Sequence, residues 1–302
     1  MKKNNRFDVI IIGGSYAGLA AAMALGRALR KVLVIDSNKP CNRQTPYSHN
    51  FLTQDGKPPK EISGIAKQQL ENYDTVTLLN GIATKGIKGK SGFEIYTDTR
   101  KKFTAGKLIF ATGISDIMPD IAGFAESWGI SVLHCPYCHG YEARDQKTGI
   151  LGNGEYGFEF ASLIFNWTND LTLCTNGRST LTAEQIAKLD SHNINIVEDK
   201  IEKLEHKNGY LQNITFKNSK SAPVTALYSR VPFTQHCAIP QSLGCELSND
   251  GYFKVGLSQE TNVYGIYACG DSTSRMRTVA NAVAMGTTAG MMVNKELIEE
   301  DF

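Results

Sequence analysis

Two short apolar runs in this chain each lead into a glycine-rich turn and then into a helix-forming stretch. No other pattern in the sequence restricts the fold as much. Val9–Ile12 runs into Gly13-Gly14-Ser15-Tyr16-Ala17-Gly18, and Ile150-Leu151 runs into Gly152-Asn153-Gly154-Glu155-Tyr156-Gly157. A buried strand that closes on such a turn and reopens as a helix begins a dinucleotide-binding βαβ unit. In the first turn Gly13 permits the tight reversal. Position 15 must let the backbone approach a pyrophosphate, and Gly18 lets helix pack on strand. Ser15 replaces the middle glycine with a small residue, and Ala17 completes a compact first turn. The helix N-terminus then offers free N–H groups and a positive dipole end to the phosphates. The next strand, Val32–Ile35, ends in Asp36, 18 residues after Gly18, where an acid accepts ribose hydroxyls.

The second turn lacks that acid. Its following strand, Leu171–Thr175, ends Thr175-Asn176-Gly177-Arg178. An acid there would repel a 2′-phosphate, whereas Arg178 can pair with one, so the nucleotide site of Gly152, Gly154, Gly157, Asn176 and Arg178 leans to NADPH on the strength of Arg178. The plain alternative is that Arg178 is a solvated loop residue.

At 302 residues, with 41% hydrophobic and 21% charged residues, the chain has room for two soluble domains. Lys107–Gly113 reads as a further buried strand, preceded by a hairpin of Phe93–Thr97 and Lys102-Phe103. Ile114–Gly123 reads as a linker. A second unit runs through a helix over Glu155–Trp167, a capping box at Thr182–Gln185, and strands at Asn195–Val197, Gly209–Phe216 and Thr225–Tyr228. Gly265–Asp271 then reads as a strand of the first domain returning, and a helix over Thr278–Val293 closes the chain. The expected fold is α/β: two Rossmann-like three-layer nucleotide-binding domains, the second inserted into the first. Residues 1–115 and 232–302 are expected to form the discontinuous outer nucleotide-binding domain, and 118–230 the inserted one.

A net charge of +2 gives no reason to expect nucleic acid or an acidic membrane as partner. The basic runs Lys2-Lys3 and Arg100-Lys101-Lys102 read as solvated surface. Lys2, Lys3 and Arg6 before an apolar run mimic a signal peptide. Asp8 and the break at Gly13-Gly14 favour a mature cytoplasmic structure instead.

Seven cysteines lie at scattered positions, and only Cys135 and Cys138 are close. That is not a secreted disulfide framework. Cys135-Pro-Tyr-Cys138-His139 has three readings: a zinc half-site without a second pair, a c-type haem attachment motif, or a redox dithiol. The redox reading fits best, and no resident metal is expected. It places Cys138 at a helix start, where the dipole favours thiolate. A dithiol between two dinucleotide sites suggests electrons moving from nicotinamide to flavin to disulfide. His139 would serve as acid–base group, the alternative being a ring packed at an interface. Cys41, Cys174, Cys237, Cys245 and Cys269 read as small buried apolar residues.

The ordered set of first glycine turn, Ala111-Thr112-Gly113, CxxC, second glycine turn and Gly270-Asp271 resembles low-molecular-weight thioredoxin reductase over nearly the whole chain. Arg277-Thr278-Val279 stands where that family closes over the flavin. Ordinary bacterial reductases have an aspartate after the second cysteine, and His139 takes its place here. Cys-Pro-Tyr-Cys-His-Gly-Tyr-Glu, Gly-Gly-Ser-Tyr-Ala-Gly and Asp55–Pro59 look like the branch containing gliotoxin and holomycin dithiol oxidases. The resemblance implies bound FAD and NADPH, Cys138 facing the flavin, and Cys135 exchanging with substrate. It implies that Asp36, Gln44 and Asn50 contact the FAD ribose and ring region. Asp271 and Arg277–Ala280, including Thr278 and Val279, would hold the ribityl and isoalloxazine side. It also implies a homodimer with a rotating nucleotide domain. The partner would be a thioredoxin-like protein or a small-molecule dithiol or disulfide. A dithiol oxidase using oxygen, and a redox-regulated FAD-binding protein without turnover, are the alternatives.

Overall fold

The computed structural model describes residues 5–90 and 92–302; Lys2 and Lys3 lie outside them. The chain divides into two compact units. The outer one comprises the stretch ending at Arg43 together with Asn50–Ser115 and Phe233–Phe302, and the inner one comprises Gln44–His49 and Asp116–Pro232.

Among the described residues the outer sheet has seven strands. Their order is Val76–Asn80, Val32–Asp36, Arg6–Ile12, Lys102–Phe110, Gly92–Thr97 and Ala83–Gly89, with Ile266–Ala268 also pairing with Lys102–Phe110. Arg6–Ile12 is parallel to both its neighbours. Gly92–Thr97 turns antiparallel against Lys102–Phe110, so the expected hairpin is present and a third strand extends it.

Both faces of this sheet are covered, which is why its first strand is apolar at successive positions. Val9 and Ile11 join the core under helix Tyr16–Arg27. Ile10 and Ile12 join the opposite core with Ile239 and Phe253. Each such buried side chain contributes roughly 1.5–3 kcal/mol.

The closing helix runs from Val279 to Asp301, eight residues beyond the expected end at Val293. Its polar tail hid the reason. Leu297 still faces the core, and Glu296 and Glu300 reach the buried Lys107 at 2.6 and 2.5 Å. The Tyr267 and Tyr264 hydroxyls donate to the same two carboxylates. Burial works against charge on Lys107, but the hydrogen bonds to Glu296 and Glu300 outweigh it and hold its pKa above the ordinary value. Where this helix crosses Tyr16–Arg27 the backbones nearly touch. A Cβ on Gly286 would lie 2.0 Å from the Ala17 carbonyl oxygen.

The inner unit holds a parallel sheet in the order Asn195–Val197, Leu171–Cys174, Thr148–Leu151, Ala226–Ser229, Val132–Leu133. Strands Ile201–Lys207, Tyr210–Phe216 and Ser221–Pro223 form an antiparallel layer. Helix Gly154–Ile164 follows the glycine turn, and Thr182 and Gln185 make the expected reciprocal cap. The Ile114–Gly123 stretch is not wholly a linker. Ile114–Asp116 pairs with Phe233–Gln235 where the chain leaves and re-enters the outer unit. Among the described residues no helix is long and apolar enough to cross a membrane.

Candidate functional site

In the outer unit the first glycine turn is as tight as its sequence requires. Gly13 has φ +101°, and a Cβ there would lie 2.2 Å from the Ala111 carbonyl oxygen. A Cβ on Gly18 would lie 1.9 Å from the Gly13 oxygen. Ser15 is the N-cap of helix Tyr16–Arg27, and its side chain makes no capping bond among the described residues. The first-turn amides therefore face outward for an anion. Beside them, a cavity of about 230 Å³ is lined by Gly14, Asp36, Asn38, Lys67, Leu78 and Asn80. Lys67 stands 3.6 Å from Asp36 and donates to the Asn38 side chain. The cavity's donors and acceptors suit the adenosine end of a dinucleotide.

Further along the same unit the Thr112 hydroxyl is buried without a hydrogen-bond partner among the described residues, and Gly113 has φ +64°. Gly270, at φ +79°, opens a 3₁₀ turn that carries Asp271. Arg277 Nε stands 3.7 Å from Asp271. Thr278 caps the closing helix by accepting from Asn281 N–H, which places Val279 and Ala280 in its first turn. The tight glycine turn, the orphaned Thr112 hydroxyl and the acid-lined cavity together fit FAD. Asn50 adopts φ +58° and its N–H donates to Asp55. Gln44 falls in the stretch grouped with the inner unit.

The inner glycine turn has the same backbone plan, with different polar partners. A Cβ on Gly157 would lie 2.8 Å from the Gly152 carbonyl carbon, and Gly154 has φ +56°. The Asn153 side-chain oxygen accepts from Gly154 N–H at 2.8 Å and from Thr180 N–H at 2.9 Å, while its amide donates to the Arg178 carbonyl. Asn176 spends its side chain on Ile201 N–H, at 2.8 Å. Arg178 is exposed. A second cation escaped sequence reading: the Arg230 guanidinium lies over the rings of Tyr156 and Phe160, and its backbone N–H donates to the Tyr156 hydroxyl.

Cys135 and Cys138 are joined as a disulfide, with Cα atoms 5.3 Å apart. The supporting helix is a single turn, Pro136–His139, with Cys135 as N-cap. Cys138 is therefore the third residue of the turn, not its start, because Pro136 takes the first helical position, as proline favours. His139 is pushed down to about 4, first by burial and then by the charge of His49. It is neutral at neutral pH. His49 Nδ1 stands 3.5 Å from Glu142 Oε1. Tyr137 and Trp167 meet edge to face. Of the other cysteines, Cys174, Cys245 and Cys269 are buried and Cys237 partly so. Burial raises the Cys174 and Cys269 thiols to about 12. Cys41 is exposed, contrary to expectation, because the coil after Asp36 leaves the sheet.

Residues 7–286 match the family described as pyridine nucleotide-disulphide oxidoreductase. The chain belongs to that family. Within it the chain is similar to the protein named thioredoxin reductase tcpT from Claviceps purpurea, 31% identical over 99% of this chain and 97% of that one. Thioredoxin reductase aclD from Aspergillus oryzae is 30% identical over 96% of each. Two solved structures superpose closely. One is an oxidoreductase from Agrobacterium tumefaciens, with TM-score 0.91 and 34% identity, covering 97% of this chain and 99% of that one. The other is HlmI, with TM-score 0.92 and 27% identity, covering 100% and 95%. The chain is thus a thioredoxin reductase-like, FAD-dependent disulfide oxidoreductase, of a family that uses FAD and NADPH.

Proposed function

We propose that the chain passes electrons from NADPH through FAD to the Cys135–Cys138 disulfide, and on to a disulfide of a thioredoxin-like protein or small molecule. The observation that carries this reading is the closed Cys135–Cys138 bridge. Bound FAD supplies a two-electron carrier between nicotinamide and disulfide. Gly13, Ser15 and Gly18 receive its pyrophosphate, Asp36 its ribose, and Thr112, Asp271 and the first turn of Val279–Asp301 its flavin end. Gly152, Gly154 and Gly157 receive the nicotinamide nucleotide. Once the bridge is reduced, Cys135 attacks the substrate disulfide and Cys138 closes back on Cys135 to release the product. The proposed assembly is a homodimer in the reducing cytoplasm.

An anaerobic titration of the purified, FAD-loaded protein with NADPH tests this. One equivalent is expected to generate two thiols, mapped to Cys135 and Cys138, and a protein disulfide should then sustain NADPH consumption. No new thiols would exclude NADPH as the donor.

One observation favours the reverse flow. A histidine neutral at pH 7 accepts a proton more readily than it donates one, as an attacking dithiol requires. In that reading a small dithiol is oxidised at Cys135, and oxygen takes the two electrons to become hydrogen peroxide. Oxygen uptake with dithiothreitol and no NADPH would support it.

A further inference from the structure

The stretch Gln44–His49 interrupts the outer unit in sequence but packs with the inner one. Thr45 approaches the open side of Gly129, within 3.0 Å of where a Cβ would stand, and Ser48 is buried. This anchoring presents His49 to the loop that follows the redox helix. His49 keeps 19% of its side chain exposed and Glu142 keeps 44%, with the two 3.5 Å apart. Glu142 stands one turn beyond His139, whose carbonyl accepts from Ala143 N–H at 3.1 Å.

We propose that His49 and Glu142 form a proton relay behind His139, carrying the thiol proton released at the Cys135–Cys138 bridge out to water. The proposal rests on the disulfide-exchange reading and goes beyond it by naming where the proton goes.

The chemistry requires such an exit. An incoming thiol attacks Cys135 Sγ, the S–S bond breaks, and Cys138 leaves as thiolate. The thiol's proton must go to a base. A second thiol of the substrate then displaces Cys135, so the substrate is oxidised by two electrons and the bridge is reduced by two. His139 is the nearest base in sequence, but burial and the charge of His49 both disfavour a cation there. A proton left on His139 is held against burial and the charge of His49, whereas the partly exposed His49 and Glu142, 3.5 Å apart, lead it on to solvent.

The other ionisable groups of the inner unit near this turn do not offer the route. His134 is stacked on Trp128. Tyr228 is buried, and burial, followed by the charge of Glu142, makes its proton harder to remove. Arg144 lies over the Tyr141 ring and donates to the Tyr141 carbonyl. His49 and Glu142 act through His139, so they are positioning residues rather than catalytic ones.

The test follows reduction of the bridge by dithiothreitol in FAD-loaded protein, with alkylation to count thiols, between about pH 6 and 8 in dilute buffer. Glu142→Gln and His49→Gln are each expected to slow reduction about tenfold or more, within the range of general acid–base effects. Raising the buffer concentration should restore both variants and leave the wild type unchanged. Glu142→Asp should keep most of the rate, and His49→Gln should add nothing on top of His139→Gln. Wild-type rates in both single variants, or slowing that buffer does not relieve, would overturn the relay. If His49→Gln fails to fold, Glu142→Gln decides the question, because its side chain is half exposed. Exchange that persists in Cys138→Ser would sink the disulfide reading and the relay together. A dead Cys138→Ser beside unaffected relay variants sinks the relay alone.

Discussion

The two glycine turns share a backbone and differ in who satisfies it. Among the described residues, Ser15 in the outer turn leaves the helix amides without a side-chain cap, and the neighbouring Thr112 hydroxyl is buried and unpartnered. In the inner turn Asn153 caps Gly154 N–H and ties down the Arg178–Thr180 backbone. The first arrangement is incomplete without a ligand; the second is already complete. A polar group left unmatched by protein strengthens the case for a resident ligand, whereas a group already matched must be released before a ligand can use it. On this contrast we infer that the outer turn suits a cofactor that stays, and the inner one a nucleotide that comes and goes.

The sharpest way to break this contrast is to place a side chain in each turn. Gly18→Val should yield colourless protein without flavin absorbance, since even a Cβ collides with the Gly13 carbonyl. Gly157→Ala should keep the flavin and raise the NADPH KM about tenfold, a loss of some 1.4 kcal/mol. Flavin loss from both, measured as FAD per chain, would erase the distinction.

Releasing the inner latch comes next. Asn153→Gly frees the Arg178–Thr180 backbone while keeping an acceptable cap residue. It should lower the NADPH KM several-fold and leave FAD content unchanged; a raised KM would mean that Asn153 itself holds the nucleotide.

Arg178 and Arg230 should separate in kind. Arg178→Ala should raise the KM for NADPH and spare NADH, about tenfold if its bond to the 2′-phosphate is worth 1.5 kcal/mol. Arg230→Ala should affect both nucleotides alike, because its guanidinium is spent on ring faces.

The smallest effect concerns pH. Unfolded, His139 titrates near 6.5; folded, it titrates near 4. Between those values the unfolded chain binds the extra proton. The His139 contribution is therefore fully present above about pH 6.5 and is lost as pH falls toward 4. Urea midpoints of the wild type should drop between pH 7 and 5 by more than those of His139→Gln. Equal drops would mean that the imidazole is solvated.

What could be read from sequence was local. Strand, glycine turn and acid follow one another within thirty-odd positions of the N-terminus, and the Thr182–Gln185 cap is written in four residues. Lys67 was missed because it reaches the Asp36 cavity from a separate segment, the helix Pro59–Leu70, which has no glycine turn to announce it. Arg230 was missed because its rings come from a helix some seventy positions earlier. The last turns of Val279–Asp301 looked too acidic to belong to a packed helix, and what holds Glu296 and Glu300 there is buried Lys107 on a distant strand.

That closing helix has a consequence for how the chain is made. Arg30 donates to Asn294, 264 residues away, and Gly286 rests on the backbone of Ala17. On a ribosome the first strand and helix emerge early and then wait, their apolar face uncovered, while the inner unit is synthesised and can fold first. The outer unit cannot close until Val279–Asp301 has been made. Truncation within that helix should therefore cost more than its few residues suggest, leaving Tyr16–Arg27 without its cover.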